Sequence, residues 1–416
     1  MADEFVAMIS RHDLLDLDTP ASAYITNVQH LSSYNWIEAP AATPTIAVPG
    51  CPDLWSPPHA PFRLKKDSGH VYIAQNAARH PDSPLEPLFR ALYVSYPSFN
   101  IANVDIVTDR NNLRKLLGVV NNRWCSYKRE DFTIHVEVTK NTAIFCRSET
   151  KTEEYIGVNE FRGYGHSFER CCTRRALAGS TGHHRMLSYS FGDLKFIVRH
   201  ETDGYVGVGG GQSCSPITNA QASSLDDLSN IFESLELSSG SSSSGETSAK
   251  SKLVIRKQGQ TVPLASTVEI KTRVAHRPLA FEDVVSQLWI SQTPKLVRAY
   301  HTKGVFEIPK VDDVAVDIRA WEGQNQKDLK VLASLIGRIR SVVKECGGRA
   351  VLEYDANKDS LSFRRSRGGQ MLPKDVYARW DKESSGSETN ADQNSTKVAG
   401  GSKTGKSTAA AGVVAQ

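Results

Sequence analysis

The sequence is poor in the features that would settle its class quickly. Its seven cysteines are an odd number and include no C-x-x-C pair, which argues against a disulfide framework and against a zinc ribbon. Cys171 and Cys172 are adjacent, a poor geometry for sharing one metal, and a reducing compartment is the simplest reading. No apolar run approaches the ~20 residues needed to cross a bilayer. The N-terminal stretch MADEFVAMISRHDLLDLD is acidic and has no long apolar core, so no signal peptide is expected there. Charge excess is small as well: the formal net charge of the 416-residue chain is +4, too little to indicate nucleic-acid binding unless the basic residues cluster. These absences leave an intracellular protein, nuclear or cytoplasmic, with no membrane partner. Hydrophobic residues at 39% provide for a substantial core, and one large α/β domain with insertions fits the length.

Periodicity divides the chain. Residues 1–63, rich in Pro, Ala and Thr, read as an extended, irregular N-terminal segment laid over a surface rather than as core. Residues 64–382 carry the domain. A short helix is expected at 83–92. VDIV, from Val104, reads as a buried strand, followed by the helix DRNNLRKLLGVV, which starts at Asp109 and shows Leu113, Leu116 and Leu117 on one face. FTIHVEV and TAIFCRSE alternate around Lys140-Asn141 and read as a hairpin. Residues 160–178 are expected to be helical. MLSYSF and LKFIVRHETDGYV read as two strands joined at Gly192-Asp193. The segment 207–252 interrupts the domain as a long, flexible insertion. Strands resume at KLVIRKQG and STVEIKTR. A helix at 280–291, a strand at 295–301, a helix at 325–346 and a hairpin at 349–364 follow. Residues 383–416 have the composition of a disordered tail.

The chemistry begins with VEIKT, which places Glu269 and Lys271 at i and i+2, on one face of a strand. A carboxylate there can hold a divalent metal. A neighbouring lysine can orient the attacking water and steady the charge that develops on phosphate. A bare E-x-K is also what an exposed strand with an ordinary ion pair shows. HETDGY adds Glu201 and Asp203 at the same spacing, and GYGHSFE ends in Glu169. Four carboxylates and one lysine suit one or two hard cations bound through oxygen, although each carboxylate taken singly also reads as a solvated charge.

Five segments in order resemble the DXO family of RNA decapping exoribonucleases, within the PD-(D/E)XK nuclease superfamily. They are VDIVTDRNNLRKLL with Arg110, GYGHSFE with Glu169, HETDGY with Glu201 and Asp203, VEIKT with Glu269 and Lys271, and SQLWISQTP with Gln287 seven residues before Pro294. The resemblance spans residues 104–300, and its specificity lies in the ordered set. It implies an α/β (α+β) fold with a mixed central sheet flanked by helices. Glu201/Asp203 and Glu269/Lys271 are then expected on neighbouring strands, with the Gln287 helix beside them. By resemblance, Glu169, Glu201, Asp203 and Glu269 bind Mg²⁺ or Mn²⁺, and Glu269, Lys271 and Gln287 serve catalysis. Arg110 contacts RNA phosphate. The RNA 5′ end is the implied substrate and an exoribonuclease an implied protein partner. The sequence departs from the family pattern in three places. GYGHSFE is two residues longer than the usual motif, Asn111 replaces a glycine, and the stretch from Asp203 to Glu269 is long.

Two other readings are carried forward. One is a nuclease fold without activity that serves as an RNA-binding or interaction module. The other is a prenyl diphosphate synthase. The chain also resembles fungal proteins with SHHR-, F-G-x-L-K- and P-K-L-V-R-A-Y-like segments, commonly labelled geranylgeranyl pyrophosphate synthetase. That chemistry needs paired D-D-x-x-D motifs, and neither Asp226-Asp227 nor Asp312-Asp313 completes one.

Smaller signals are weaker. GGSKTGKS at 400–407 matches a phosphate-binding loop formally, but no strand precedes it and a Gly/Ser/Lys/Thr tail produces such matches by chance. His183-His184 point apart on a strand and read as surface or RNA-facing. RRSR at 364–367 reads as an import or RNA-backbone patch or, equally, a solvated basic turn. Trp124, Tyr127, Lys128 and Arg129 read as a nucleic-acid surface or as core aromatics beside a turn.

Overall fold

In the computed structural model, residues 4–125, 129–207 and 251–381 are described. The insertion between 208 and 250, the tail beyond Asp381, the formal phosphate-loop match, Tyr127 and Lys128 lie outside them.

The local elements follow from the patterning. Phe132–Thr139 and Thr142–Ser148 form the expected hairpin. Ser180–Phe191 and Leu194–Glu201 form another, turning at Gly192 and Asp193, both at positive φ. Positive φ at both central residues is what a tight turn matched to strand twist requires. Arg110–Val120 is a helix that buries Leu113, Leu116 and Leu117. Glu282–Ser291 and Gln326–Glu345 are helices, as the spacing of their apolar residues predicts. The 160–178 segment is helical only over Gly165–Cys172, and Thr173–Arg174 is already strand.

These elements assemble into a mixed α/β fold with two large sheets. The larger has eleven strands. Ile106–Asp109, Leu194–Glu201, Ser180–Phe191 and Thr26–Ile37 lie in that order at its middle. Ile106–Asp109 runs parallel to Leu194–Glu201, which runs antiparallel to Ser180–Phe191. Helices cover both faces. Leu187, Phe196 and Val198 pack with Leu116, Leu288 and Leu335 in one core. Met186, Ile197 and Trp36 pack with Leu88, Phe89 and Leu92 in another.

The N-terminal reading needs correction. Residues 1–63 are not an irregular coat: Thr26–Ile37 and Thr45–Gly50 are strands of the main sheet, and Trp36, Ile46 and Ala47 are wholly buried. Strands covered on both faces lose the alternation of apolar and polar residues that marks a half-exposed strand, and the prolines fall mainly between them.

The expected placement of Glu201/Asp203 and Glu269/Lys271 on neighbouring strands is corrected too. The large sheet's Leu194–Glu201 strand ends at Glu201, and the chain then crosses to a second, eight-stranded sheet. It enters there as Gly204–Tyr205, paired with Thr267–Val274. Gly204 makes the crossing possible, because a Cβ at that position would lie 2.9 Å from the Asp53 carbonyl oxygen. The two acidic motifs therefore belong to different sheets. Among the described residues no helix is long and apolar enough to cross a membrane.

Candidate metal and phosphate site

The crossing between the sheets carries the site. Glu201 closes its strand, and Asp203 stands in the link, where its Oδ2 accepts a hydrogen bond from Ile270 N at 2.7 Å. That bond ties the link to the strand bearing Glu269 and Lys271. Glu169 arrives on the Gly165–Cys172 helix, whose first turn is held by Asp67 oxygens accepting from His166 N and Ser167 N. Phe168 anchors the same helix in the core of the second sheet.

Glu269 is the centre. Its side chain is 2% exposed, and its Oε1 accepts hydrogen bonds from Lys271 Nζ and Gln287 Nε2. Arg110 Nη1 donates to its Oε2 at 3.0 Å. Gln287 is delivered by the Glu282–Ser291 helix. Arg110 comes from the first turn of Arg110–Val120, so in this structure the arginine expected on RNA phosphate is bonded to a carboxylate.

The electrostatics divide the acids. Burial pushes the Glu269 carboxyl up, but Lys271 and Arg110 outweigh it and hold it below its ordinary range. Desolvation and repulsion from Asp203 raise Glu169 well above its ordinary value. Desolvation and the charge of Glu269 raise Asp203 to about 7. Glu201 opens onto a cavity yet is raised by desolvation, with Arg110 opposing. Burial lowers the Lys271 ammonium, but Glu269 and Asp203 overcome it and raise the group. The six residues thus act on one another, with more carboxylate than cation.

Among the described residues, no three His, Cys, Asp or Glu side chains form a closed metal-ligand set as placed. The donor chemistry nonetheless fits a hard cation. Three crowded carboxylates with raised affinity for protons are groups that a divalent ion would let ionise.

Beside the acids lies a cavity of about 230 Å³, lined by Arg110, Arg114, Arg147, Arg199, His184 and Glu201. Asp109 stands at the start of the helix but does not cap it. It instead receives Arg199 Nε at 2.6 Å and Nη2 at 3.0 Å. Arg199 also donates to Tyr34 Oη and to the Pro84 carbonyl. Arg147 and Lys115 share Glu149. Sequence reasoning missed this basic wall. Arg199 sits two residues before Glu201 with no distinguishing pattern, and Arg147 lies on a strand read only for its alternation.

The weaker signals resolve differently. His183 and His184 are buried, at 4% and 5% exposure, which corrects their reading as surface residues; only His184 reaches the cavity. In the RRSR segment Arg364 pairs with Glu353. Trp124 Nε1 donates to Asp328, and Arg129 pairs with Asp359.

Comparison with known proteins places the chain in a family and in a fold. A family model described as a domain of unknown function, DUF8563, matches residues 5–377. No curated protein matches the sequence. Among the solved structures similar in fold are three of Rai1. The first is S. pombe Rai1, at 13% identity and TM-score 0.52, with 87% of this chain and 99% of that chain covered. The second is Candida albicans Rai1 in complex with pU5-Mn2+, at 10% and 0.50, covering 90% and 99%. The third is Scheffersomyces stipitis Rai1 in complex with (3'-NADP)+ and calcium ion, at 10% and 0.52, covering 92% and 99%. The chain belongs to the DUF8563 family, and its fold bears out the resemblance to DXO-like proteins.

Proposed function

We propose that the chain is a divalent-metal-dependent hydrolase of phosphodiester or pyrophosphate bonds at RNA 5′ ends. The reading is supported by hydrogen bonds that gather Lys271 and Gln287 on Glu269 and tie Asp203 to the same strand, with Glu169 within electrostatic reach of them and Glu201 on the adjoining arginine-lined cavity. An acidic wall next to a basic wall suits a metal-bound phosphate, each wall compensating one charge. Two Rai1 structures of this fold hold nucleotide-containing ligands together with Mn²⁺ or Ca²⁺, which supports the same ligand chemistry here.

In this reading Glu169, Glu201, Asp203 and Glu269 hold Mg²⁺ or Mn²⁺, which supplies a polarised phosphate and an activated water. The chain's own groups do the rest. Arg110 and Arg147 bind phosphate oxygens and fix the 5′ end in the cavity. Lys271 orients the water and faces the negative charge that grows on phosphate. Gln287 holds the water in line through its amide. For these roles Lys271, Gln287 and Arg110 must exchange part of their present bonding to Glu269 for substrate and water.

That present bonding favours a second reading, a nuclease fold that binds RNA without cleaving it, in which the three donors keep Glu269 permanently. The prenyl synthase reading has no support, since the acidic residues come from two strands, the link between the sheets and one short helix, and not from D-D-x-x-D motifs on paired helices. The purified chain, given Mg²⁺ or Mn²⁺ and RNAs with capped, NAD-capped, triphosphate and monophosphate 5′ ends, is expected to hydrolyse at least one of them and to stop with EDTA. Binding of these RNAs without cleavage under any metal establishes the second reading.

A further inference from the structure

One face of the large sheet carries a block of polar side chains that the proposed hydrolysis does not use. Register puts His183 opposite Asn35, and Arg185 opposite both Ser33 and His200. Thr202 N donates to His183 O at 2.9 Å, so Thr202 continues the pairing. Opposed residues, and residues two apart on a strand, share a face. Ser33, Asn35, His183, Arg185, His200 and Thr202 are therefore neighbours, and none is more than 5% exposed.

Part of this block is satisfied internally. Asn35 Oδ1 accepts from Cys51 N, and His183 Nδ1 donates to the same oxygen. Arg185 Nη2 donates to the Val262 carbonyl at 3.1 Å. The remainder is not. Arg185 Nε and Nη1, His183 Nε2, both ring nitrogens of His200 and Thr202 Oγ1 are buried with no hydrogen-bond partner among the described residues. Arg185 is wholly buried, and among the described residues no carboxylate acts on it.

A buried guanidinium without a counter-charge is costly, and buried polar groups are almost always paired. Water alone would satisfy the hydrogen bonds and leave the charge. A metal cation would add to it. One monovalent anion offsets one arginine and accepts from several N–H and O–H donors at once. We infer that Arg185, His183, His200 and Thr202 enclose a site for a single small monovalent anion of halide size, such as chloride.

The test uses the full chain at fixed pH and ionic strength, with sodium chloride exchanged for sodium gluconate. Chloride is expected to raise the thermal midpoint saturably, on the order of 3 °C well above its dissociation constant. A crystal soaked in bromide is expected to show an anomalous peak against Arg185. Arg185→Met is expected to abolish the chloride-specific shift. Thr202→Val, which keeps the charge and the shape, is expected to move its saturation to higher chloride and provides the reading should Arg185→Met fail to fold. Equal midpoints in the two salts with no bromide peak overturn the site and leave water in the block. A chloride shift unchanged in Thr202→Val, with the bromide elsewhere, overturns it as well.

Discussion

Lys271→Ala and Glu269→Gln are each expected to lower the rate of 5′-end hydrolysis by ~10²-fold or more while leaving RNA affinity within a few-fold of wild type. The split follows from where each group sits. Lys271 and Gln287 converge on one oxygen of Glu269, where the proposed hydrolysis puts the reacting phosphate. Charge grows there only in the transition state, so removing the lysine affects rate more than binding. Under the proposed function the arginine wall supplies the affinity, which should then fall with added salt because phosphate contacts release counterions. Lys271→Ala leaves Glu269 its bonds to Arg110 and Gln287, so the fold should persist. Glu269→Gln removes the charge that Arg110 and Lys271 both neutralise, and its melting curve must accompany its kinetics. Equal cleavage by wild type and both variants would assign the activity to another site.

Asp109→Ala is expected to cost ~3–5 kcal/mol of stability, read from the urea midpoint. Arg199 is 2% exposed and makes a two-point bond to this carboxylate. The carboxylate raises the guanidinium above its ordinary value against the pull of burial. Deleting it leaves a buried charge with only the Tyr34 hydroxyl and the Pro84 carbonyl to receive it. The consequence reaches the site, because Asp109 fixes the start of the helix that presents Arg110. Replacing both partners, as Asp109→Leu with Arg199→Met, should recover part of the loss, since an apolar pair of similar volume has no charge to desolvate. A loss below about 1 kcal/mol in Asp109→Ala would show that the pair does not hold this part of the fold.

The sequence was most legible where one face of an element meets solvent. The Phe132–Thr139 strand, the Arg110–Val120 helix and the turn at Gly192-Asp193 all display their period or turn residues openly. Residues 31–37 of the Thr26–Ile37 strand and the Thr45–Gly50 strand were illegible for the opposite reason: covered on both faces, they show neither alternation nor a helical stripe. The candidate site was legible as a set of residue types and not as an arrangement. The spacing of Glu201 and Asp203 suggested one strand face. In the structure the strand stops at Glu201, and Asp203 reaches the other sheet through Ile270 N. Of the basic wall only Arg110 was legible; Arg147 and Arg199 left no mark, because they come from separate elements brought beside it by topology alone. His183 and Arg185 were equally opaque, since charged and polar residues on a strand ordinarily face water.

The central claim is that the carboxylates at the sheet crossing hold a divalent cation. The most direct test is a titration of the purified chain with Mn²⁺, followed by electron paramagnetic resonance, which counts free ion. The account predicts one or two Mn²⁺ bound per chain, displaced by Mg²⁺, with binding lost in Asp203→Asn and in Glu169→Gln while both variants keep the wild-type melting profile. Titration curves for wild type that match those of the two variants, with no saturable binding, would contradict it.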